Sequence, residues 1–272
     1  MGQQLRRTVF FVSDRTGISV ETLGRGLLSQ FEEMEFTQIA LPFVDTEEKA
    51  RAAVARIDAV EGERPLIFST QVRSELRDIL QTSRGLYMDL FDAFMAPLEA
   101  ELKQVSSHSI GRSHGLRDTG RYDTRIDAVN FALSTDDGVG LQHYAAADVI
   151  VIGVSRSGKT PTCLYLAMQY GVRAANYPFT EEDLERSRLP QVLSAHHARL
   201  VGLVISAERL QQIRQERRPD SPYATLRQCQ YEVRQFATLL RREQIRSLDS
   251  THMSIEEIAA SLVHDLGLVR RR

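Results

Sequence analysis

Tryptophan is absent from this 272-residue chain, cysteine occurs twice and lysine three times. Cys163 and Cys229 lie far apart, with no paired spacing and no accompanying His pattern, which argues against both a disulfide framework and a thiolate metal site. A reducing compartment is expected. Long apolar runs are also missing: none approaches the roughly 18 residues that a membrane span needs. The start Met-Gly-Gln-Gln-Leu-Arg-Arg has no signal-peptide pattern and leads into a short strand-like run. Together these features predict a cytoplasmic protein with no membrane partner. Charge of one sign is lacking as well. A net charge of -2 and a pI near 6.4 give no general attraction to nucleic-acid phosphates, so no nucleic-acid partner is expected.

The scarcity of lysine makes each one informative. Only Lys49, Lys103 and Lys159 occur in a chain that otherwise uses arginine, so a lysine inside a phosphate-binding pattern is less easily an accidental surface charge. The remaining composition, 42% hydrophobic and 26% charged, is ordinary for a folded protein. The length suits one large domain or two modest ones.

Periodicity alternates between strand and helix. Thr8–Val12 is β-branched and aromatic, and after Ser13-Asp14-Arg15-Thr16-Gly17 the residues Val20, Leu23, Leu27, Leu28 and Phe31 recur at helical spacing. Thr37–Phe43 and Pro65–Ser69 read as extended, each followed by a helical stretch, Glu47–Val60 and Ser74–Leu80. Leu86–Leu102 reads as one apolar helix interrupted by Pro97. An aperiodic Ser, His, Gly and Arg stretch follows. After a helix at Tyr122–Leu133 a second cycle begins with the strand Val149–Val154. It continues through a helix at Pro161–Tyr170, strands at Arg173–Tyr177 and Leu200–Ile205, and helices at Ala207–Arg218, Leu226–Glu243 and Ser254–Leu266. The expectation is an α/β protein: an N-terminal α/β domain (1–105) with a mostly parallel sheet, a linker (106–121), and a phosphate-loop kinase-like α/β domain (122–272). No internal sequence repeat is visible.

The strongest motif is Gly153-Val154-Ser155-Arg156-Ser157-Gly158-Lys159-Thr160, which satisfies G-x-x-x-x-G-K-[ST] at every fixed position. Its flanks fit: an apolar strand precedes it, and Pro161 stands where a first helical turn tolerates a missing N–H. Glycines allow backbone N–H groups to approach phosphate oxygens closely, and the helix N-terminus adds unpaired donors and positive potential. Lys159 is expected to reach the outer phosphates, and the Thr160 hydroxyl to ligate Mg²⁺.

Weaker features carry two readings each. Asp136-Asp137-Gly138 is either a turn or a source of carboxylate near the loop, where Asp137 or its neighbour would serve as base or cation partner. The strand at 200–205 ends in Ser206 and not in an acid, which favours a kinase-like variant over a motor or GTPase; Asp148 is a rival carboxylate. Ser13–Gly17 caps its helix or holds an anion, the cap being the simpler reading. Arg209, Arg214, Arg217 and Arg218 close over phosphates or, more simply in this composition, form an exposed helix face. His108, Arg112 and His114 fall in the linker, and His196 and His197 form no metal pattern.

Taken together, Ser13-Asp14 with Thr16-Gly17, Leu41-Pro42-Phe43-Val44, the stretch Tyr122–Gly138, the loop through Thr162, and Ala174-Ala175-Asn176-Tyr177-Pro178 resemble the bacterial phosphoenolpyruvate synthase regulatory proteins. The likeness runs from about Val9 to Leu268. It implies a bifunctional protein-threonine kinase and phosphorylase whose protein substrate is phosphoenolpyruvate synthase (pyruvate, water dikinase). ADP would be the donor for phosphorylating a threonine near the target's catalytic histidine, with inactivation. Inorganic phosphate would reverse the modification, releasing pyrophosphate. By position, Gly153–Thr160 would form the ADP-binding loop, and Lys159 and Thr160 would act in catalysis; Asp137 falls in the family's Asp-Asp-Gly segment, and its role as base is inferred. A homodimer is expected by analogy. Arg15 and Gly111 depart from the family pattern, and neither touches the loop. The loop alone supports two rivals, an ATP-dependent kinase of a small metabolite and a non-catalytic ADP-sensing module.

Overall fold

The computed structural model describes residues 5–106, 119–186, 188–219 and 221–268. The chain divides into two compact units, Met1–Gly115 and Leu116–Arg272. Most of the expected linker, with His108, Gly111, Arg112 and His114, lies outside the described residues, as do Arg270, Arg271 and Arg272. Among the described residues no helix is long and apolar enough to cross a membrane.

The first unit runs β1 (Leu5–Val12), α1 (Ile18–Leu28), β2 (Met34–Leu41), α2 (Glu47–Asp58), β3 (Leu66–Ser69), α3 (Ser74–Gln81), β4 (Leu86–Asp89) and α4 (Asp92–Leu102). Its sheet has the order β2-β1-β3-β4 with every pair parallel. Successive side chains of β1 serve opposite faces, as period two requires. Phe10 and Val12 join Ala50, Ile57, Leu76 and Leu80, while Val9 and Phe11 join Val20, Leu28 and Phe68. Helices thus cover both faces, the arrangement a parallel sheet needs to bury its apolar strands.

Two sequence expectations fail in this unit. The run Leu86–Leu102 is not one helix: Leu86–Asp89 pairs with β3 as an edge strand, and α4 begins only at Asp92 and continues through Pro97. A short apolar run carries no period of its own, so pairing along the sheet edge decided its conformation. The expected side-chain cap of α1 is also absent. Gly17 takes the N-cap position with φ of 80° and no side-chain capping bond, while the Ser13 hydroxyl accepts instead from the Arg15 N–H and the Thr70 hydroxyl, each at 3.2 Å.

The second unit runs α5 (Thr119–Ser134), β5 (Val149–Val154), α6 (Lys159–Tyr170), β6 (Ala174–Phe179), α7 (Glu181–Arg186), α8 (Gln191–Ser194), β7 (Leu200–Val204), α9 (Ala207–Arg217), α10 (Leu226–Arg242), β8 (Ser247–Asp249) and α11 (Ile255–Asp265). Its sheet order is β6-β5-β7-β8, again all parallel. β5 is buried along its whole length. Ile150, Ile152 and Val154 pack with Phe179, Leu210 and Phe236 on one face, and Val149 and Val151 pack with Leu166, Leu203 and Leu262 on the other. The three-residue β8 is too short to leave a sequence pattern. Ser206, Thr225 and Ser254 cap α9, α10 and α11 through their side chains, which sets where each helix starts.

The order in which strands are added reverses at the centre of this second sheet. β5 leads to its neighbour β6 on one side and β7 leads to β8 on the other, so a crevice opens at the carboxyl ends of β5 and β7. In open α/β sheets this is where ligands sit.

Candidate active site

The turn from β5 into α6 occupies that crevice, and its conformation follows from its glycines. Gly158 is the N-cap residue of α6 with φ of 94°, a left-handed conformation that an L side chain would strain. At Gly153 a Cβ would stand 2.6 Å from the Ser157 hydroxyl and 3.0 Å from the Leu203 carbonyl, so only glycine lets β5 and β7 close beneath the loop. Arg156, at the loop's apex, is itself left-handed with φ of 76°. No hydrogen bond is made by the N–H groups of Arg156, Gly158, Lys159 or Thr160 among the described residues. Unpaired donors at a helix N-terminus form a ready anion site.

A cleft of about 660 Å³ opens over the loop, lined by Ser155 through Pro161, by Asp136 and Asp137, and by Arg209, Arg217, Ser250, Thr251 and Ile255 among others. Of the predicted loop residues, Ser155, Arg156, Ser157, Gly158, Lys159 and Thr160 line this cleft, while Gly153 and Val154 are the buried last two residues of β5 and do not line it. Lys159 is only 4% exposed, and its Nζ donates to the Val154 carbonyl at 2.9 Å. Burial pulls its pKa down to about 8, against the opposing pull of the Asp137 and Asp136 carboxylates.

The carboxylate at Thr160 comes from the turn Asp136–Gly138, upstream of the loop strand, and not from β7. Thr160 Oγ1 donates to Asp136 Oδ1 at 2.7 Å. Asn176, fully buried on β6, fixes this turn: its Nδ2 donates to the same Asp136 oxygen, and its Oδ1 accepts the Asp137 N–H at 3.1 Å. Tyr144 in turn donates to the Asn176 backbone carbonyl at 2.6 Å. Asp137 is left-handed with φ of 48° and exposed on the cleft. The Asp-Asp pair does lie beside the loop, but nothing in the sequence separates the residue that holds Thr160 from the one exposed on the cleft. Asn176 belongs to a stretch that carries the family likeness, and its structural task was not legible there.

Other candidates are placed elsewhere. Asp148 stands at the opposite end of β5, where Oδ2 accepts the Arg173 N–H at 2.9 Å. Nε2 of His197 lies 2.7 Å from the Glu243 carbonyl, and the His196 ring lies against Tyr144. The four arginines of the α9 region do not form one exposed face. Arg209 and Arg217 line the cleft, while Arg214 is fully buried and paired with Glu232 through two bonds of 3.0 and 2.7 Å. Helical spacing put these residues close in sequence; the position of α10 decided which of them is covered.

The Thr160 hydroxyl with the Asp136 carboxylate makes an all-oxygen pair suited to Mg²⁺, and the loop N–H groups with Lys159 suit a di- or triphosphate chain. The arrangement can neutralise charge on phosphate oxygens, and Asp137 places an acceptor for a proton on the same cleft.

Known proteins resemble this sequence over nearly its whole length. The model of the kinase/pyrophosphorylase family matches residues 9–263. A protein of Pseudomonas putida is 51% identical over 270 residues, covering 98% of this chain and 99% of its own, and one of Stutzerimonas stutzeri is 52% identical over the same shares. One of Alkalilimnicola ehrlichii is 54% identical over 271 residues, 98% of each chain. All three carry the provisional name phosphoenolpyruvate synthase regulatory protein. With a family match across most of its length and such relatives over nearly all of it, the chain belongs to the kinase/pyrophosphorylase family.

Proposed function

We propose that the chain is a bifunctional protein-threonine kinase and phosphorylase that controls phosphoenolpyruvate synthase in the cytoplasm, acting as a homodimer. The observation that carries this reading is the Thr160–Asp136 bond, with Lys159 and Asp137 on the same cleft: a phosphate loop equipped with an oxygen pair for a cation, a buried lysine and an exposed carboxylate. The relatives' shared name supports phosphoenolpyruvate synthase as the protein substrate.

In the inactivating direction the loop N–H groups and Lys159 hold the phosphates of ADP. Asp137 takes the proton of the acceptor threonine hydroxyl, whose oxygen attacks the β-phosphorus; the bond to the bridging oxygen breaks and AMP leaves. Thr160 and Asp136 would hold Mg²⁺, which when bound neutralises charge on the phosphate oxygens. In the activating direction inorganic phosphate occupies the same loop and attacks the phosphothreonine. The threonine oxygen leaves, recovering a proton from Asp137, and pyrophosphate forms. One loop can serve both because each step passes a phosphoryl group between oxygens and needs the same charge neutralisation.

The test is mass spectrometry of purified phosphoenolpyruvate synthase, charged with phosphate on its catalytic histidine and incubated with this protein and ADP, beside a Lys159→Ala control. A new phosphothreonine that requires ADP and is missing with the control supports the proposal. Absence of modification, together with ATP turnover on a metabolite extract, would overturn it in favour of a small-molecule kinase.

A further inference from the structure

The phosphate loop is held from behind by a buried ion pair. Arg214 on α9 is 0% exposed and makes a two-pronged contact with Glu232 on α10, Nη1 to Oε1 at 3.0 Å and Nη2 to Oε2 at 2.7 Å. Its other bonds leave the pair. Nη1 also donates to the Tyr223 carbonyl at 3.0 Å, and Nη2 donates to the Ser155 carbonyl, in the loop, at 3.0 Å. The guanidinium carbon lies 3.8 Å from the centre of the Tyr223 ring, and the Tyr223 hydroxyl donates to Ser155 Oγ at 2.7 Å. Ser155 is thus gripped at both its carbonyl and its hydroxyl.

A buried ion pair is a poor device for stability alone, since well-packed apolar residues of similar volume serve as well or better. What an apolar pair cannot do is hold a carbonyl in one direction. In a trans peptide the carbonyl of one residue and the N–H of the next point to opposite sides, and no cis peptide occurs here. Fixing the Ser155 carbonyl on Arg214 therefore turns the Arg156 N–H away from the guanidinium. That N–H makes no hydrogen bond among the described residues, and Arg156 stays left-handed although it is not glycine. The brace and the unusual backbone adjoin in the chain.

We propose that Arg214, oriented by Glu232 and stacked on Tyr223, is a positioning residue of the phosphate loop: it sets the Ser155–Arg156 peptide so that the Arg156 N–H is presented to a bound phosphate. The inference rests on the nucleotide-binding reading given above for what occupies the loop, but the brace itself is a property of the free protein.

The test uses the full chain with the double substitution Arg214→Met with Glu232→Leu, which removes both buried charges together, and separately Tyr223→Phe, which keeps the ring and deletes one hydroxyl. Three quantities are read: the unfolding midpoint, the ¹³C shifts of Arg156 in nucleotide-free protein, which report the sign of its φ, and the ADP dissociation constant by calorimetry with Mg²⁺. The double variant is expected to unfold as cooperatively as the native chain, to lose the left-handed signature at Arg156, and to bind ADP roughly tenfold more weakly or worse. Tyr223→Phe is expected to weaken ADP by about threefold and to move the Ser155 and Arg156 amide signals. A merely structural pair would give ADP affinity that recovers with stability in the double variant. Left-handed Arg156 shifts retained in both variants would overturn the proposal. Should native protein bind no ADP while the Arg156 shifts respond as stated, the nucleotide reading fails and the positioning of the loop by Arg214 stands.

Discussion

The two units build the same sheet twice and equip it differently. Orders β2-β1-β3-β4 and β6-β5-β7-β8 are the same path through four parallel strands, with the order of strand addition reversing beside the first strand in each. The turns there match in form as well. β1 ends at Val12 and β5 at Val154; α1 starts after Gly17 with φ of 80°, and α6 after Gly158 with φ of 94°. The residues differ. Where α6 opens on the buried Lys159, α1 opens on Ile18, which is 61% exposed, and where β5 has Gly153 before its last residue, β1 has Phe11. The first unit places Asp14, 6% exposed and raised in pKa by burial, in the turn itself. Topology supplies the crevice, and the side chains at its rim supply the chemistry.

Substitutions that erase or copy those differences test the comparison, and the largest effect is expected at the lysine. Lys159→Ala should lower phosphotransfer by about 10²-fold or more, measured as ADP-dependent labelling of the protein substrate, because the charge developing on phosphate loses its buried partner. Gly153→Ala brings a Cβ to 2.6 Å from the Ser157 hydroxyl and 3.0 Å from a β7 carbonyl. It should cost about 1–3 kcal/mol in chemical denaturation and weaken ADP by roughly tenfold, since β7 or the loop must give way.

A smaller, graded effect is expected with pH. The Lys159 pKa is lowered from 10.5 to about 8 by burial, so in free protein its ammonium is lost as pH rises through about 8, and ADP affinity should decline above that point in calorimetric titrations. The sign for stability is opposite. The cost of burying the charge is fully present below about 8 and is relieved between there and 10.5, so any stability gained by Lys159→Met should shrink across that interval. A flat ADP affinity from pH 7 to 9.5 would contradict the lowered Lys159 pKa. The smallest effect is expected from Ile18→Lys, which copies the lysine onto the first unit. On an exposed site it should change stability by no more than about 0.5 kcal/mol and create no second turnover in a Lys159→Ala background. Restored turnover there would mean that topology and one lysine suffice.

Much of this was legible in the residues. The alternation of short apolar runs with helical stretches announced a parallel α/β architecture, and the glycines at the end of β5 and after it announced the strand–turn–helix at Gly153 to Thr160. The edge strand Leu86–Asp89 and the three-residue β8 were not legible, because short strands take their conformation from the neighbour they pair with. Nor was the topological repeat, since two sheets can share a path with no shared sequence. Arg214 was misread as part of an exposed face for a related reason: whether a helical position is covered depends on where α10 packs, and α10 begins 12 residues beyond it in the chain.

By itself, the sequence determined the form of the loop Gly153 to Thr160, because its constraints are local: close backbone approach, a left-handed N-cap and a lysine one residue on are all set within eight neighbouring positions. Only the tertiary structure decided which carboxylate meets Thr160 and what holds the loop from behind. Asp136, Asn176, Arg214, Tyr223 and Glu232 come from separate elements; the hydrogen bonds that reach the loop from Asp136, Arg214 and Tyr223 span 24 to 68 positions in the chain, and the Arg214–Glu232 pair spans 18. Contacts of that separation are fixed by how the helices cover the sheet, and no local pattern encodes them.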